Sequence, residues 1–174
     1  LDIAADTAAQ YMKADFFNPA AAYSAAVEVE RNINSARARL AGAIHAQSDE
    51  IIYTSGGTES NNTAIFGALR ARRGGGRIIV GATEHPSVYE AAMSMKGPYV
   101  INEARVDKTG AYDVNMLAQS IANDVTFVSV MQVNNETGAI NDIPAIYRAV
   151  KQRAPMAIMH VDGVQGFLKV PFDA

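Results

Sequence analysis

Four short stretches of this chain carry residue types that do chemistry: Thr54-Ser-Gly-Gly-Thr-Glu-Ser60, Thr83-Glu-His-Pro86, Asn134-Asn-Glu-Thr-Gly138 and Asp162-Gly-Val-Gln165. In the first, Ser55, Gly56 and Gly57 break the run Ile51–Thr54, and Thr58-Glu-Ser60 opens an apolar-periodic segment. A strand that turns on glycines into a helix N-terminus suits an anion. The first N–H groups there lack partners, the dipole is positive, and glycine allows close approach. A phosphate is the expected ligand, although an ordinary glycine turn capped by Thr58 accounts for the same residues. No Gly-Lys-Ser/Thr follows and no G-x-G-x-x-G is present, so neither a Walker loop nor a dinucleotide fingerprint is read here.

The other three stretches add different groups. His85 offers an imidazole that stacks on a flat ligand or moves protons, or that simply caps a helix. Asn134, Asn135 and Glu136 offer amides and a carboxylate to a polar ligand edge, or merely build a turn. Asp162 follows the apolar run 157–161. A carboxylate buried at such a strand end needs a partner. Only His160 stands near enough to share a metal, and a protonated ring nitrogen is the better partner. The pyridinium nitrogen of pyridoxal phosphate is the expected one, with Gln165 reaching another polar group of the same ring. A phosphate cup, an imidazole, an amide and a buried carboxylate together suit an aromatic phosphorylated cofactor.

Such groups converge only if the chain brings the turns to one side. Strands are expected at 51–54, 77–81, 99–106, 126–133 and 157–161. Helices are expected at 1–14, 22–45, 58–70, 87–96, 115–123 and 143–153. Nearly continuous apolar strands alternating with amphipathic helices predict an α/β fold: a mostly parallel sheet with helices on both faces. Ligands of such sheets sit beyond the C-terminal strand ends, where the four turns lie. The expected division is N-terminal helices over 1–45 and a cofactor-binding α/β core over 46–174.

Composition narrows the function class. The 174 residues are 49% hydrophobic, enough for a packed core. Net charge is −3 and no basic run appears, so nucleic acid is not an expected partner. There is no cysteine, which excludes disulfides and thiol chemistry from these residues. No apolar run approaches a membrane span and no signal peptide is seen, so a cytoplasmic location is expected. A start at Leu1 and a stop at Ala174 predict a portion of a longer protein.

The chain resembles the cysteine desulfurases, of the class V aminotransferase group of fold-type I pyridoxal-phosphate enzymes. The resemblance rests on Thr54-Ser-Gly-Gly-Thr-Glu-Ser-Asn-Asn62, Glu84-His-Pro-Ser-Val88, Ser129-Val-Met-Gln-Val-Asn-Asn-Glu-Thr-Gly138 and His160-Val-Asp-Gly-Val-Gln165. It implies the large-domain portion of that fold. It implies that Gly57 and Thr58 bind the cofactor phosphate, with Ser60 a weaker neighbour. His85 would stack on the ring and take part in proton transfer, Asn135 and Gln165 would face its phenolic oxygen, and Asp162 would hold the ring nitrogen protonated. Asn18 would lie near the substrate or a partner subunit. In the family the Schiff-base lysine and the sulfur-accepting cysteine lie beyond Asp162, and the chain ends before both.

The reaction so implied removes sulfur from L-cysteine, leaving alanine and an enzyme persulfide. It implies a homodimer and a possible sulfur-acceptor protein, with the isolated 174 residues inactive. The family's Gly-Asn-Pro-Ser-Ser-x-His region reads Phe17-Asn-Pro-Ala-Ala-Ala-Tyr23 here, Gln132 stands where histidine is common, and Gly163 where alanine is. Two rival readings therefore stand: a related pyridoxal-phosphate lyase or aminotransferase acting on another amino acid, and a non-catalytic truncated member.

Overall fold

The structure, a computed structural model, describes residues 1–72 and 74–171. The described chain forms two compact units, Leu1–Tyr53 and Thr54–Pro171.

The first unit is helical. Helix α1 spans Asp2–Lys13 and buries no residue. Helix α2 spans Ser24–Ala43, where alanine, glutamate and arginine favour the helical backbone. A 3-10 turn follows at Ser48–Glu50, with the Glu50 carboxylate accepting the Gln47 N–H at 2.6 Å. The segment after it is tied back to α2: the Tyr53 hydroxyl donates to the Ile33 carbonyl at 3.4 Å, and the Arg37 guanidinium lies 5.3 Å from the Tyr53 ring centre.

The strand expected at 51–54 does not form. Ile51 is extended (φ −90°, ψ 119°), but no ladder partner exists among the described residues, and Ile52 is 73% exposed. β-branched and aromatic residues favour an extended backbone, but only a neighbouring strand turns that into a sheet.

The second unit alternates helices and strands. It runs α3 (Gly57–Ala71), β1 (Gly76–Gly81), α4 (Pro86–Met93), β2 (Tyr99–Ala104), α5 (Val114–Ser120), β3 (Val125–Met131), α6 (Ile143–Arg153) and β4 (Ile158–Asp162). The four strands form one parallel sheet in the order β2-β1-β3-β4. Boundaries otherwise fall within a few residues of expectation. The larger differences are that α4 stops at Met93, α5 at Ser120 and β3 at Met131. Val133 makes only an isolated bridge to Ile140.

Ile78, Ile79 and Val80 are successive and fully buried, so both faces of the sheet are covered. On one face Ile78, Val80 and Phe127 pack with Ile65 and Leu69 of α3 and with Val88, Ala91 and Ala92 of α4. Ile79, Val128 and Val130 face the other side, and α5 and α6 pack against each other. Capping residues fix the helix starts: Asp113 accepts the Asn115 and Met116 N–H groups, and Asp142 accepts that of Ala145. The strand order decides where a ligand can enter. From β1 the chain goes first to β2 on one side, while β3 lies on the other. A crevice at the C-terminal ends of β1 and β3 is the result.

Candidate active site

That crevice holds a cavity of about 320 Å³, lined by Gly57, Thr58, Asn61, His85, Ser87, Met131, Asn135, Asp162, Val164 and Gln165. Six of the seven residues expected from sequence therefore meet there: Gly57, Thr58, His85, Asn135, Asp162 and Gln165. The seventh, Asn18, belongs to the helical unit, where its Oδ1 accepts the Ala20 N–H at 3.0 Å.

The glycine turn keeps its role without its strand. Helix α3 starts at Gly57 with Gly56 as N-cap and no side-chain cap, so Thr58 does not cap it. The first bond of the helix runs from the Ser60 N–H to the Gly56 carbonyl. The N–H groups of Gly57, Thr58 and Glu59 thus have no partner among the described residues, and the Thr58 hydroxyl is free. Glu59, the acid of the first turn, is turned back. Its Oε2 accepts both the Ser55 N–H (2.7 Å) and the Ser55 hydroxyl (2.6 Å), which hold its carboxyl below the usual range. Ser60 is engaged by the Thr54 hydroxyl at 2.6 Å and is absent from the lining. A Cβ on Gly57 would come within 3.1 Å of Val164, so the turn after β4 lies directly against this helix end.

Asp162 closes β4 and is only 4% exposed. Its Oδ1 accepts the Val164 N–H at 3.0 Å and its Oδ2 accepts Asn61 Nδ2 at 2.9 Å. Each oxygen keeps a lone pair for a further donor in the cavity. Asn61 uses its second N–H on the Ser87 hydroxyl at 3.0 Å. Ser87 in turn lies 2.8 Å from His85 Nδ1, and the Ser87 backbone N–H donates to the same nitrogen at 3.1 Å. A backbone N–H can only donate, so Nδ1 is an acceptor and the neutral imidazole carries its proton on Nε2. His85 caps α4, and only Nε2 remains to hold or move a proton.

The two asparagines after β3 divide the work. Asn134 is buried; its Oδ1 accepts the Glu136 and Thr137 N–H groups and its Nδ2 donates to the Thr83 carbonyl at 3.0 Å. It builds the turn, and Asn135 is left facing the cavity. Gln132 is buried under the turn after β4, where a Cβ on Gly166 would overlap its amide.

Sequence reasoning assigned no role to Asn61, Ser87, Glu84, Ser129 or His160. Glu84 is 8% exposed, and burial together with the Asp162 charge pushes its carboxyl up to about 8. Ser129 Oγ lies 3.5 Å from Glu84 Oε1 and 2.8 Å from His160 Nδ1. Burial lowers His160, against the opposing pull of Asp162. The available signal was parity: His160 and Asp162 share one face of β4, as do their register partners Ser129 and Met131 on β3.

The cavity thus combines unpaired helix-end N–H groups, a buried carboxylate with spare acceptor capacity, an imidazole and two amides. Such a set offers donors to an anionic group at the helix end and an acceptor to a nitrogen donor at Asp162. The sequence profile of the Aminotransferase class-V family matches residues 4–174, and the chain belongs to that family. Cysteine desulfurase IscS of Neisseria meningitidis serogroup C (strain 053442) is 36% identical over 166 residues, covering 94% of this chain and 41% of that one. A solved NifS-like protein superposes with a TM-score of 0.91 at 29% identity, over 99% of this chain and 48% of its own. A structure of SspA in complex with cysteine superposes with a TM-score of 0.89 at 25% identity, over 97% and 49%. The chain therefore spans about two fifths to one half of the proteins it resembles.

Proposed function

We propose that the full-length protein is a pyridoxal-phosphate-dependent cysteine desulfurase, converting L-cysteine to alanine and passing the sulfur to a protein thiol as a persulfide. The observation that carries the reading is Asp162, a buried carboxylate held by Asn61 and the Val164 N–H, with a lone pair still free on each oxygen. Class V membership and the likeness to IscS and to cysteine-bound SspA support the substrate. A homodimer in the cytoplasm, with a separate sulfur-acceptor protein, completes the proposal.

Pyridoxal phosphate supplies, when bound, a conjugated ring that withdraws electrons from the amino acid's α-carbon. The residues of this chain fit it. The N–H groups of Gly57 and Thr58 and the Thr58 hydroxyl would bind the phosphate. Asp162 would keep a proton on the ring nitrogen, and its fixed hydrogen bonds would prevent it from turning away. Asn135 and Gln165 would orient the phenolic oxygen. His85 presents Nε2 to hold or move a proton, because α4 occupies its other nitrogen. Asn18 would contact the substrate. The accepting thiol must come from outside these residues, and its thiolate is the competent nucleophile.

The test is turnover of L-cysteine by the full-length protein, with alanine as the measured product. Asp162→Asn should weaken cofactor affinity about tenfold or more, because a charge-assisted bond becomes a neutral one, and should abolish alanine formation. Unchanged turnover in that variant would sink the reading. Formation of a keto acid in place of alanine would move it to a related pyridoxal-phosphate lyase or aminotransferase.

A further inference from the structure

Asp162 is coupled to a second buried carboxyl group, Glu84, that the proposed chemistry does not use. Glu84 and Asp162 are both buried, and neither makes an ion pair among the described residues. Their surroundings are unequal. Asp162 receives two N–H donors, from Asn61 and Val164. Glu84 has one neighbour of that kind, the Ser129 hydroxyl at 3.5 Å, and its Oε2 has none. Two buried carboxyls that repel each other do not both ionise cheaply. The proton goes to the one with fewer donors. The titratable groups coupled to Glu84 are Asp162, which ends β4, and Tyr112 from the segment before α5; His160 of β4 reaches it only through the Ser129 hydroxyl. Tyr112 is itself raised by burial and by Glu84, so it stays a neutral phenol and adds no charge beside Glu84.

We propose that Glu84 is a positioning residue that carries a proton, so that Asp162 alone presents a negative charge to the cavity, and that Ser129 links this proton to the tautomer of His160. What the charge faces rests on the pyridoxal-phosphate reading; where the proton sits does not. As a neutral acid, Glu84 turns its Oε1 proton toward Ser129 Oγ, 3.5 Å away in a contact that must shorten to become a full hydrogen bond, and Ser129 donates to His160 Nδ1 at 2.8 Å, leaving the His160 proton on Nε2. When Glu84 loses its proton to solvent, the polarity reverses. Ser129 then donates to Oε1, and His160 must donate from Nδ1, exchanging its Nε2 proton for one there. The titration of a carboxyl group is thus written into a histidine tautomer.

The experiment tracks the ring nitrogens of His160 and the carboxyl carbon of Glu84 by NMR, in the labelled full-length protein without cofactor, from about pH 6 to about pH 9. Expected in the wild type is a change from the Nε2–H to the Nδ1–H tautomer, in step with titration of Glu84 near 8. In Glu84→Gln the tautomer should not respond to pH. In Ser129→Ala, Glu84 should still titrate high while His160 no longer follows it. A Glu84 carboxyl that titrates near 4.5, or a tautomer change that persists in Glu84→Gln, overturns the proposal. Should Glu84→Gln fail to fold, the wild type and Ser129→Ala decide alone. In parallel, pyridoxal 5′-phosphate affinity of Glu84→Gln at neutral pH should lie within about threefold of wild type, since the amide mimics the neutral acid. A loss of about tenfold or more would count against the proposal. Failure of every variant and the wild type to bind pyridoxal phosphate, with the tautomer change intact, would instead remove the functional reading and leave the proton assignment standing.

Discussion

Asn61 is the residue on which the site's order depends. One side-chain amide donates both of its hydrogens, to Asp162 at 2.9 Å and to Ser87 at 3.0 Å, and Ser87 holds His85. The proposed charge-bearing and proton-bearing groups are therefore set by one rigid planar group on α3. Asn61→Leu keeps the branched outline, with bulkier tips, and removes both donors. It should cost about 1–3 kcal/mol of stability, because Asp162 is left buried with one partner fewer. Chemical denaturation measures that cost. A cost below about 0.5 kcal/mol would mean that the bond to Asp162 carries little. The same variant should loosen the His85 ring, since its hydroxyl partner loses its own donor. Asn61 was hard to single out from sequence, where Asn61 and Asn62 look alike. Asn62 bonds within its own helix to the Thr58 carbonyl at 2.8 Å and more loosely to the Ser87 carbonyl at 3.4 Å. Only the placement of β4 against α3 distinguishes them.

At the scale of elements, helix α4 and the site share one side chain. His85 is both the N-cap of α4 and a wall of the cavity. The two roles separate by substitution. His85→Ala loses the cap and should destabilise by about 1 kcal/mol, whereas His85→Asn restores a capping oxygen and most of that stability. Neither variant should recover turnover, because neither has an imidazole Nε2. Equal thermal stability of the two variants would show that the cap contributes nothing. The end of β1 is similarly constrained. A Cβ on Gly81 would overlap the Tyr112 hydroxyl and approach Glu84 Cγ to 3.1 Å. Gly81→Ala should therefore cost about 1–3 kcal/mol and shift the turn that carries Glu84 and His85. These elements were legible to different degrees. β1 and β3 stood out because buried parallel strands are continuous apolar runs, and α6 because its apolar stripe is regular, whereas β4, expected to be buried, is a half-buried edge strand. The segment 51–54 was misread because an extended apolar run is a strand only with a partner. Glu84 and Ser129 were missed because their roles arise from strand register, which pairs Ser129 with His160 across 31 positions.

For the second unit as a whole, two buried titratable groups of opposite kind shape stability against pH. Glu84 is raised from 4.5 to about 8. Between those values the unfolded chain is ionised and the folded one keeps its proton, so stability falls as pH rises, by at most about 1.4 kcal/mol per unit. His160 is lowered from 6.5 by burial. Its contribution is complete above 6.5 and is lost as pH falls below that value through the lowered folded one. Below 6.5 the two slopes oppose each other; above it only Glu84 acts. The melting temperature should therefore change little just below 6.5, where the two slopes oppose, and decline from there to about 8. The carboxyls of Glu59, Asp107 and Asp124 are lowered, so their losses come at more acid pH and leave this window alone. His160→Gln removes one of the opposing slopes. Its melting temperature should keep rising as pH falls below 6.5, and Glu84→Gln should show the reverse, losing stability below 6.5 while staying flat toward 8. Melting curves of the full-length protein and both variants across these pH values are the measurement. Parallel profiles in all three would mean that neither buried group titrates differently in the folded protein.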